Sequence, residues 1–321
     1  MTGLVIKSTG SSYIVRLDDG ADVECRIKGN LRLRGIRTTN PVAVGDKVTV
    51  SEDGSVSDGQ PVYWITDIAE RRNYIIRRST NLSKESHIIA ANIDQAMLLV
   101  TVTRPYTNLV FIDRFLATCE AYRVPAIIVF NKSDLMGETE MFDLIFKFTM
   151  YREIGYEVLS ISAKKMAQTK PEEWTNSHAT LPKLLAGKTT LLSGNSGVGK
   201  STLLNALFGK EIARTGEISD AHHTGKHTTT FSEMFFLPNG GAVIDTPGIK
   251  GFGAIDMEKE EIGHYFREIF KESHNCRYRD CLHMGEPGCA VIEAVNEKRI
   301  AESRYESYIS LLGDCEESKY R

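Results

Sequence analysis

The chain has 321 residues, 41% of them hydrophobic and 25% charged, with a formal net charge of -3 at pH 7. That length supports more than one domain with a buried core, and the near balance of charge excludes a global field that would draw the chain onto nucleic acid or membrane, so any such contact must come from a local patch. No apolar window approaches a membrane span and the start, MTGLVIKSTG, lacks a signal-peptide pattern, so a cytoplasmic protein without membrane contact is expected.

From residue 3 to about 68, short runs alternate between apolar and polar residues: Tyr13, Val15 and Leu17 share one face, and Val23, Cys25 and Ile27 oppose Glu24, Arg26 and Lys28. Strands are predicted near 3–8, 12–18, 21–28, 46–51 and 61–68, and residues 1–70 read as a small antiparallel barrel. An oligonucleotide-binding (OB-like) β-barrel is the leading choice, although the pattern does not separate it from other small barrels. One run in it, IKGNLRLRGIR, gathers Lys28, Arg32, Arg34 and Arg37 without an acidic residue. Residues 71–90 read as a basic connector with Arg71, Arg72, Arg77 and Arg78, and Tyr74 is available for stacking. These cations are candidates for RNA phosphate contact; a solvated basic face is the plainer alternative.

Residues 91–255 change character, with continuous apolar strands predicted at 95–102, 125–130, 156–161, 188–193, 231–237 and 241–245. Helices are predicted between them at 108–122, 138–153, 178–186 and 200–208, the strand-helix-strand order of a mainly parallel α/β sheet. Residues 256–321 are predicted to be helical on both sides of a cysteine cluster, in MEKEEIGHYFREIF and AVIEAVNEKRIAESRYESYISLL.

The motifs arrive in an unusual order. Asn131, Lys132, Ser133 and Asp134 leave the strand IIVF; Asn131 can bond a purine edge, the Lys132 stem can cover the ring, and the Asp134 carboxylate can accept both the ring N–H and the exocyclic amine of guanine. Adenine lacks that donor pair. Ser162, Ala163 and Lys164 offer a loop that backs the guanine carbonyl. Only then comes a phosphate loop, Gly194, Asn195, Ser196, Gly197, Val198, Gly199, Lys200 and Ser201, followed by Thr202, with a strand before and a helix after. Its backbone N–H groups face phosphate oxygens, Lys200 reaches the outer phosphates as a catalytic charge, and Ser201 offers an oxygen to Mg2+. TGKHTTTF reads as a first switch, in which one threonine, Thr229 being favoured, meets Mg2+. DTPG reads as a second switch: Asp245 holds a Mg2+-bound water and the Gly248 N–H senses the outermost phosphate.

Many GTPases orient the attacking water with a Gln after that glycine, but here Ile249 stands there. His227 is the candidate for positioning the water; a solvent-exposed or RNA-contacting histidine is the open alternative. Farther on, Cys276, Cys281, His283 and Cys289 are spaced C-x4-C-x-H-x5-C. Three thiolates and an imidazole fill a tetrahedral zinc shell with no position left for water, so a structural Zn2+ is expected.

The motifs resemble those of the translation-factor class of GTPases in permuted order: base loop, backing loop, phosphate loop, first switch, second switch. Joining neighbouring termini and opening another loop can preserve every contact. With RRN at 71–73, IAANIDQ at 89–95, GKHTTT and CRYRDCLHMGEPGCAV added, the whole chain resembles the ribosome small-subunit-dependent GTPase A family of circularly permuted GTPases. The resemblance implies binding of GTP and GDP, slow hydrolysis accelerated by the small (30S) ribosomal subunit, contact with its 16S rRNA, and release on maturation. A monomer is expected. A GTP-regulated rRNA-binding scaffold with little catalysis of its own is the alternative that Ile249 keeps open.

Overall fold

The computed structural model describes residues 1–9, 12–27, 41–57, 60–78, 86–212, 232–246 and 257–319. Five strands, β1 (Thr2–Ser8), β2 (Tyr13–Leu17), β3 (Asp22–Ile27), β4 (Lys47–Ser57) and β5 (Gln60–Ile68), form the N-terminal unit. They run in the order β1-β2-β3-β5-β4, and β4 returns to pair with β1, which closes the sheet into a barrel. Closure follows from the alternation: Val5, Tyr13, Val15, Cys25, Val48, Val50 and Ile65 all point into one buried cluster.

The stretch read as a connector carries a hairpin, β6 (Tyr74–Arg78) with β7 (Ser86–Ala91). Its Tyr74 packs against Tyr122 with ring centroids 5.7 Å apart. The hairpin also adheres to the barrel, where Ala91 N donates to the Val44 carbonyl at 2.9 Å. Gly45 permits this approach: it sits at φ 94°, and a side-chain carbon there would come within 2.1 Å of the Ala91 carbonyl oxygen.

The α/β unit is built on β8 (Gln95–Val100), β9 (Ala126–Phe130), β10 (Glu157–Ser160), β11 (Thr189–Ser193), β12 (Glu233–Phe236) and β13 (Ala242–Asp245). Their order is β10-β9-β8-β11-β13-β12, all parallel except β12. Helices cover both faces, so the strands are apolar throughout: Leu98, Val100, Ile128 and Phe130 enter one core and Met97, Leu99, Ile127 and Val129 the other. The covering helices are α1 (Leu109–Ala121), α2 (Glu138–Ile154), α3 (Ala163–Gln168), α4 (Asn176–Leu185) and α5 (Lys200–Phe208). The barrel extends this sheet, because Lys7 of β1 pairs with Glu233 of β12 and Ser8 N donates to the Ser232 carbonyl.

The C-terminal unit holds α6 (Arg267–Ser273), α7 (Ala290–Asn296) and α8 (Glu302–Lys319) around Phe266, Ile269, Val291, Tyr308, Leu311 and Leu312. The segment expected as helix before the cysteines begins as a 3-10 turn over Lys259–Tyr265. The one expected after them is broken between α7 and α8, where Lys298 adopts φ 61°. Among the described residues, no helix is long and apolar enough to cross a membrane.

A buried ion cluster joins this unit to the α/β core. Arg304 of α8 is 0% exposed; it donates to Asp113 of α1 at 2.7 Å and to Glu268 of α6 at 2.6 and 3.1 Å. Tyr151 of α2 donates to the same Asp113 oxygen at 2.7 Å. Arg304→Ala strands two carboxylates in a low-dielectric site and is expected to cost about 3–5 kcal/mol, measured as a lower urea midpoint for the full chain.

Candidate functional site

The parallel strands place four loops at one edge of the sheet, where open α/β sheets bind ligands. The base-loop residues follow β9, the backing loop follows β10, the phosphate loop follows β11, and Asp245 ends β13. Motifs far apart in the chain therefore meet at one edge.

Their junction is Asn131. Its side chain, 2% exposed, donates through Nδ2 to the Val198 carbonyl in the phosphate loop at 2.8 Å and accepts through Oδ1 from Ala163 N in the backing loop at 2.9 Å. Gly199, at φ 103°, makes room for the amide; a side-chain carbon there would stand 2.4 Å from Asn131 Nδ2. Gly194, at φ 146°, allows an equally close approach to the Leu99 carbonyl, 2.4 Å from the same hypothetical carbon. Ser196 and Gly197 are exposed at the crest of the loop, and Asn195 is half-buried.

Lys132 holds a left-handed conformation, φ 64°, which costs a non-glycine residue on the order of 1 kcal/mol and points to a functional constraint. Its ammonium donates to the Arg104 carbonyl at 2.8 Å, and burial lowers its pKa. Ser133 N donates to the Ile161 carbonyl. Asp134 accepts from the Ser162 hydroxyl at 2.5 Å, which tethers one oxygen of the carboxylate. Ser162 also caps α3 by accepting from Lys165 N at 3.1 Å, and Lys164 is exposed on that helix.

At the phosphate end, Lys200, Ser201 and Thr202 form the first turn of α5. Lys200 Nζ donates to the carbonyls of Gly194 at 2.7 Å and Asn195 at 3.0 Å. Burial lowers its pKa while the charge of Asp245 works the other way. Burial also raises the Asp245 pKa against the opposing pull of Lys200. One carboxylate oxygen of Asp245 is buried without a hydrogen-bond partner among the described residues. An acceptor of this kind, with a hydroxyl offered by Ser201, suits a hard cation that keeps its waters, as Mg2+ does.

One supporting loop escaped the motif reading. Residues 101–107, between β8 and α1, supply the Arg104 carbonyl that tethers Lys132, and the Pro105 ring lies beside Gly197. The available signal was positional: the loop leaves the carboxyl end of a parallel strand.

The second cluster is as expected from spacing. The donor atoms of Cys276, Cys281, His283 and Cys289 all lie within 4.8 Å of one another. Cys276 Sγ stands 3.6 Å from His283 Nδ1 and 4.0 Å from Cys289 Sγ, and Cys289 Sγ is 3.4 Å from the same nitrogen. Glu286 accepts from the backbone N–H groups of Leu282, Met284 and Gly285 and so shapes the knuckle. Tyr305 and Tyr308 of α8 donate to the carbonyls of His283 and Leu282 at 2.6 and 2.8 Å. Burial pushes the Cys281 thiol up to about 12. The four donors can hold a metal ion.

Among the basic residues, Arg71 has a different task from the one expected. Its guanidinium is buried and clamped to Asp46 at 2.6 and 2.7 Å and to the Pro41 carbonyl at 2.5 Å, so its charge is spent inside the barrel. Arg72 stays exposed beside Asp94. Arg77 and Arg78 lie on β6, and Tyr74 is committed to Tyr122. Lys28, Arg32, Arg34, Arg37, His227, Thr229, Gly248 and Ile249 lie outside the described residues.

A family profile described as RsgA GTPase matches residues 68–255, and one described as RsgA N-terminal domain matches residues 2–57. The chain is 54% identical over 321 residues to the small ribosomal subunit biogenesis GTPase RsgA of Phocaeicola vulgatus, covering 100% of this chain and 99% of that one. It is 56% identical, with the same coverage, to small ribosomal subunit biogenesis GTPase RsgA 2 of Bacteroides thetaiotaomicron. Among solved structures, YjeQ from Thermotoga maritima superposes with a TM-score of 0.69 at 31% identity, covering 98% of this chain and 97% of that one. YloQ, described as a circularly permuted GTPase, gives 0.66 at 29% identity, covering 100% and 96%.

Removing metal with a strong chelator is expected to lower the melting temperature and to open Cys276, Cys281 and Cys289 to a thiol reagent. Cys25, Cys119 and Cys315, buried elsewhere, should stay protected. Unchanged melting and unchanged thiol counts would remove the metal from the fold.

Proposed function

The chain belongs to the RsgA GTPase family, and from that membership we propose that it hydrolyses GTP to GDP and phosphate in the biogenesis of the small ribosomal subunit, which activates it. The supporting observation is the pairing of Asn131 with both Val198 and Ala163, which brings the loops of a permuted chain together as one nucleotide needs.

In this reading Asp134, tethered by Ser162, accepts from the two guanine donors, while Asn131 and the Lys132 stem hold the ring edge and face. The N–H groups of residues 194–202 bind phosphate oxygens at the start of α5. Lys200 exchanges its carbonyl partners for the outer phosphates, where its charge counters the negative charge that develops in the transition state. Ser201 and Thr229, with Asp245 through a bound water, would hold Mg2+, which would neutralise phosphate charge. Gly248 N–H meets the outermost phosphate, and His227 orients the attacking water, since Ile249 cannot.

The Cys276, Cys281, His283 and Cys289 ion is proposed to be Zn2+, the metal that three thiolates and one imidazole in a closed shell select. Contact with 16S rRNA is assigned to Lys28, Arg32, Arg34, Arg37, Arg72, Arg77 and Arg78, without Arg71. The protein is proposed to act as a monomer in the cytoplasm.

GTP turnover is expected to rise by on the order of 10^2 or more when small subunits are added, the scale of a supplied or completed catalytic group. His227→Ala should abolish most of that rise while leaving GTP affinity intact. A turnover indifferent to subunits would defeat the activation reading, and an unimpaired His227→Ala would release the histidine from its role. Separately, Asp134→Asn should shift preference from guanosine toward xanthosine nucleotides, because the amide donates where the carboxylate accepted; competition binding with the two diphosphates measures it.

A further inference from the structure

Strand β10 is an edge of the parallel sheet among the described residues, so its outward amide groups meet no neighbouring strand there. Helix α4 supplies acceptors instead. Ser160 N donates to Ser177 Oγ at 3.4 Å, and Ser162 N donates to His178 Nε2 at 2.9 Å. The second bond is the consequential one, because Ser162 is 0% exposed and an unpaired N–H there would be costly.

An imidazole accepts at Nε2 only when neutral with its proton on Nδ1. Burial, and next the charge of Lys165, lower the His178 pKa and favour that form. Ser162 then passes the constraint on. Its hydroxyl accepts from Lys165 N and donates to Asp134, while the following amide, Ala163 N, donates to Asn131. Both side chains assigned to the base thus take their positions from a loop anchored by His178.

We propose that His178, outside every nucleotide motif, is a positioning residue for guanine selection, holding the Ser162 backbone so that the Asp134 carboxylate faces the two guanine donors. The proposal rests on the reading of Asp134 as the base-selecting group. His178 touches no nucleotide in this scheme; it acts through Ser162. A histidine that merely satisfies a buried loop amide would support folding alone, and base discrimination separates the two roles.

The experiment compares GDP and IDP binding to the full-length, metal-loaded protein, its His178→Leu and His178→Gln variants, with melting temperatures measured alongside. Hypoxanthine lacks the exocyclic amine, so the ratio of the two affinities reports how well Asp134 is aimed. His178→Leu is expected to lose about tenfold in GDP affinity, the scale of one stranded buried donor, and to lower the GDP-to-IDP preference by a similar factor. His178→Gln, whose carbonyl oxygen can accept the same N–H, should restore most of both. Imidazole nitrogen NMR of the wild-type protein should show His178 protonated on Nδ1. Wild-type preference in His178→Leu, or a proton on Nε2 in the wild type, overturns the proposal. A wild-type protein with no preference for GDP over IDP would instead overturn the Asp134 reading beneath it.

Discussion

A carboxamide buried as deeply as that of Asn131 has to be paired, or it costs the fold the desolvation of each group left bare. Its two partners come from the phosphate loop and the backing loop. That requirement fixes three loops relative to one another, and Gly199 has no side chain because the amide already occupies the space. Strands β9 and β11 flank β8, so about two strand spacings, roughly 10 Å, separate the strand ends from which the base loop and the phosphate loop leave. One nucleotide spans that distance.

Chain order does not enter into this geometry. A parallel sheet specifies which strands are neighbours and which ends carry the loops, and the connections between them are free to vary so long as their ends are close in space. The permuted order changes what the loops are attached to. The chain leaves β13 at Asp245 and is again described at Met257, which is buried in the C-terminal core. From that core, α8 reaches back to α1 through Arg304 and Asp113 and holds the metal knuckle through Tyr305 and Tyr308. One helix therefore binds the metal unit to the nucleotide-binding core.

What the sequence revealed and what it withheld divide along physical lines. Period-two patterns placed the barrel strands, continuous apolar runs placed the parallel ones, and phosphate-loop and cysteine spacings are local enough to read directly. The hairpin β6–β7 was read as a connector because its strands do not alternate: Ile75 and Ile76 are adjacent and both buried, with a register shift between them. The break between α7 and α8 depends on Lys298 in a left-handed conformation, which no glycine or proline announces. Arg71 resembled its exposed neighbours, yet its partner Asp46 lies 25 residues away and the antiparallel pairing of β4 with β5 brings them together. The support given to Ser162 by His178 is likewise tertiary, one helix satisfying the buried N-cap amide of another, and leaves no spacing to find.

The same topology determines what the proposed switches are joined to. The proposed first switch lies between α5 and β12, and β12 is the strand to which the barrel is joined through Lys7 with Glu233 and Ser8 with Ser232. The proposed second switch lies between β13 and Met257, the entry to the metal-binding unit. Each appended domain is thus attached at the far end of one switch, while β12 and β13 are themselves paired. The barrel meets the sheet there by strand pairing, and the metal-binding unit by the chain itself. In a conventional chain order the same sheet would carry these two attachments elsewhere, so the permutation decides which domains adjoin the proposed switch segments.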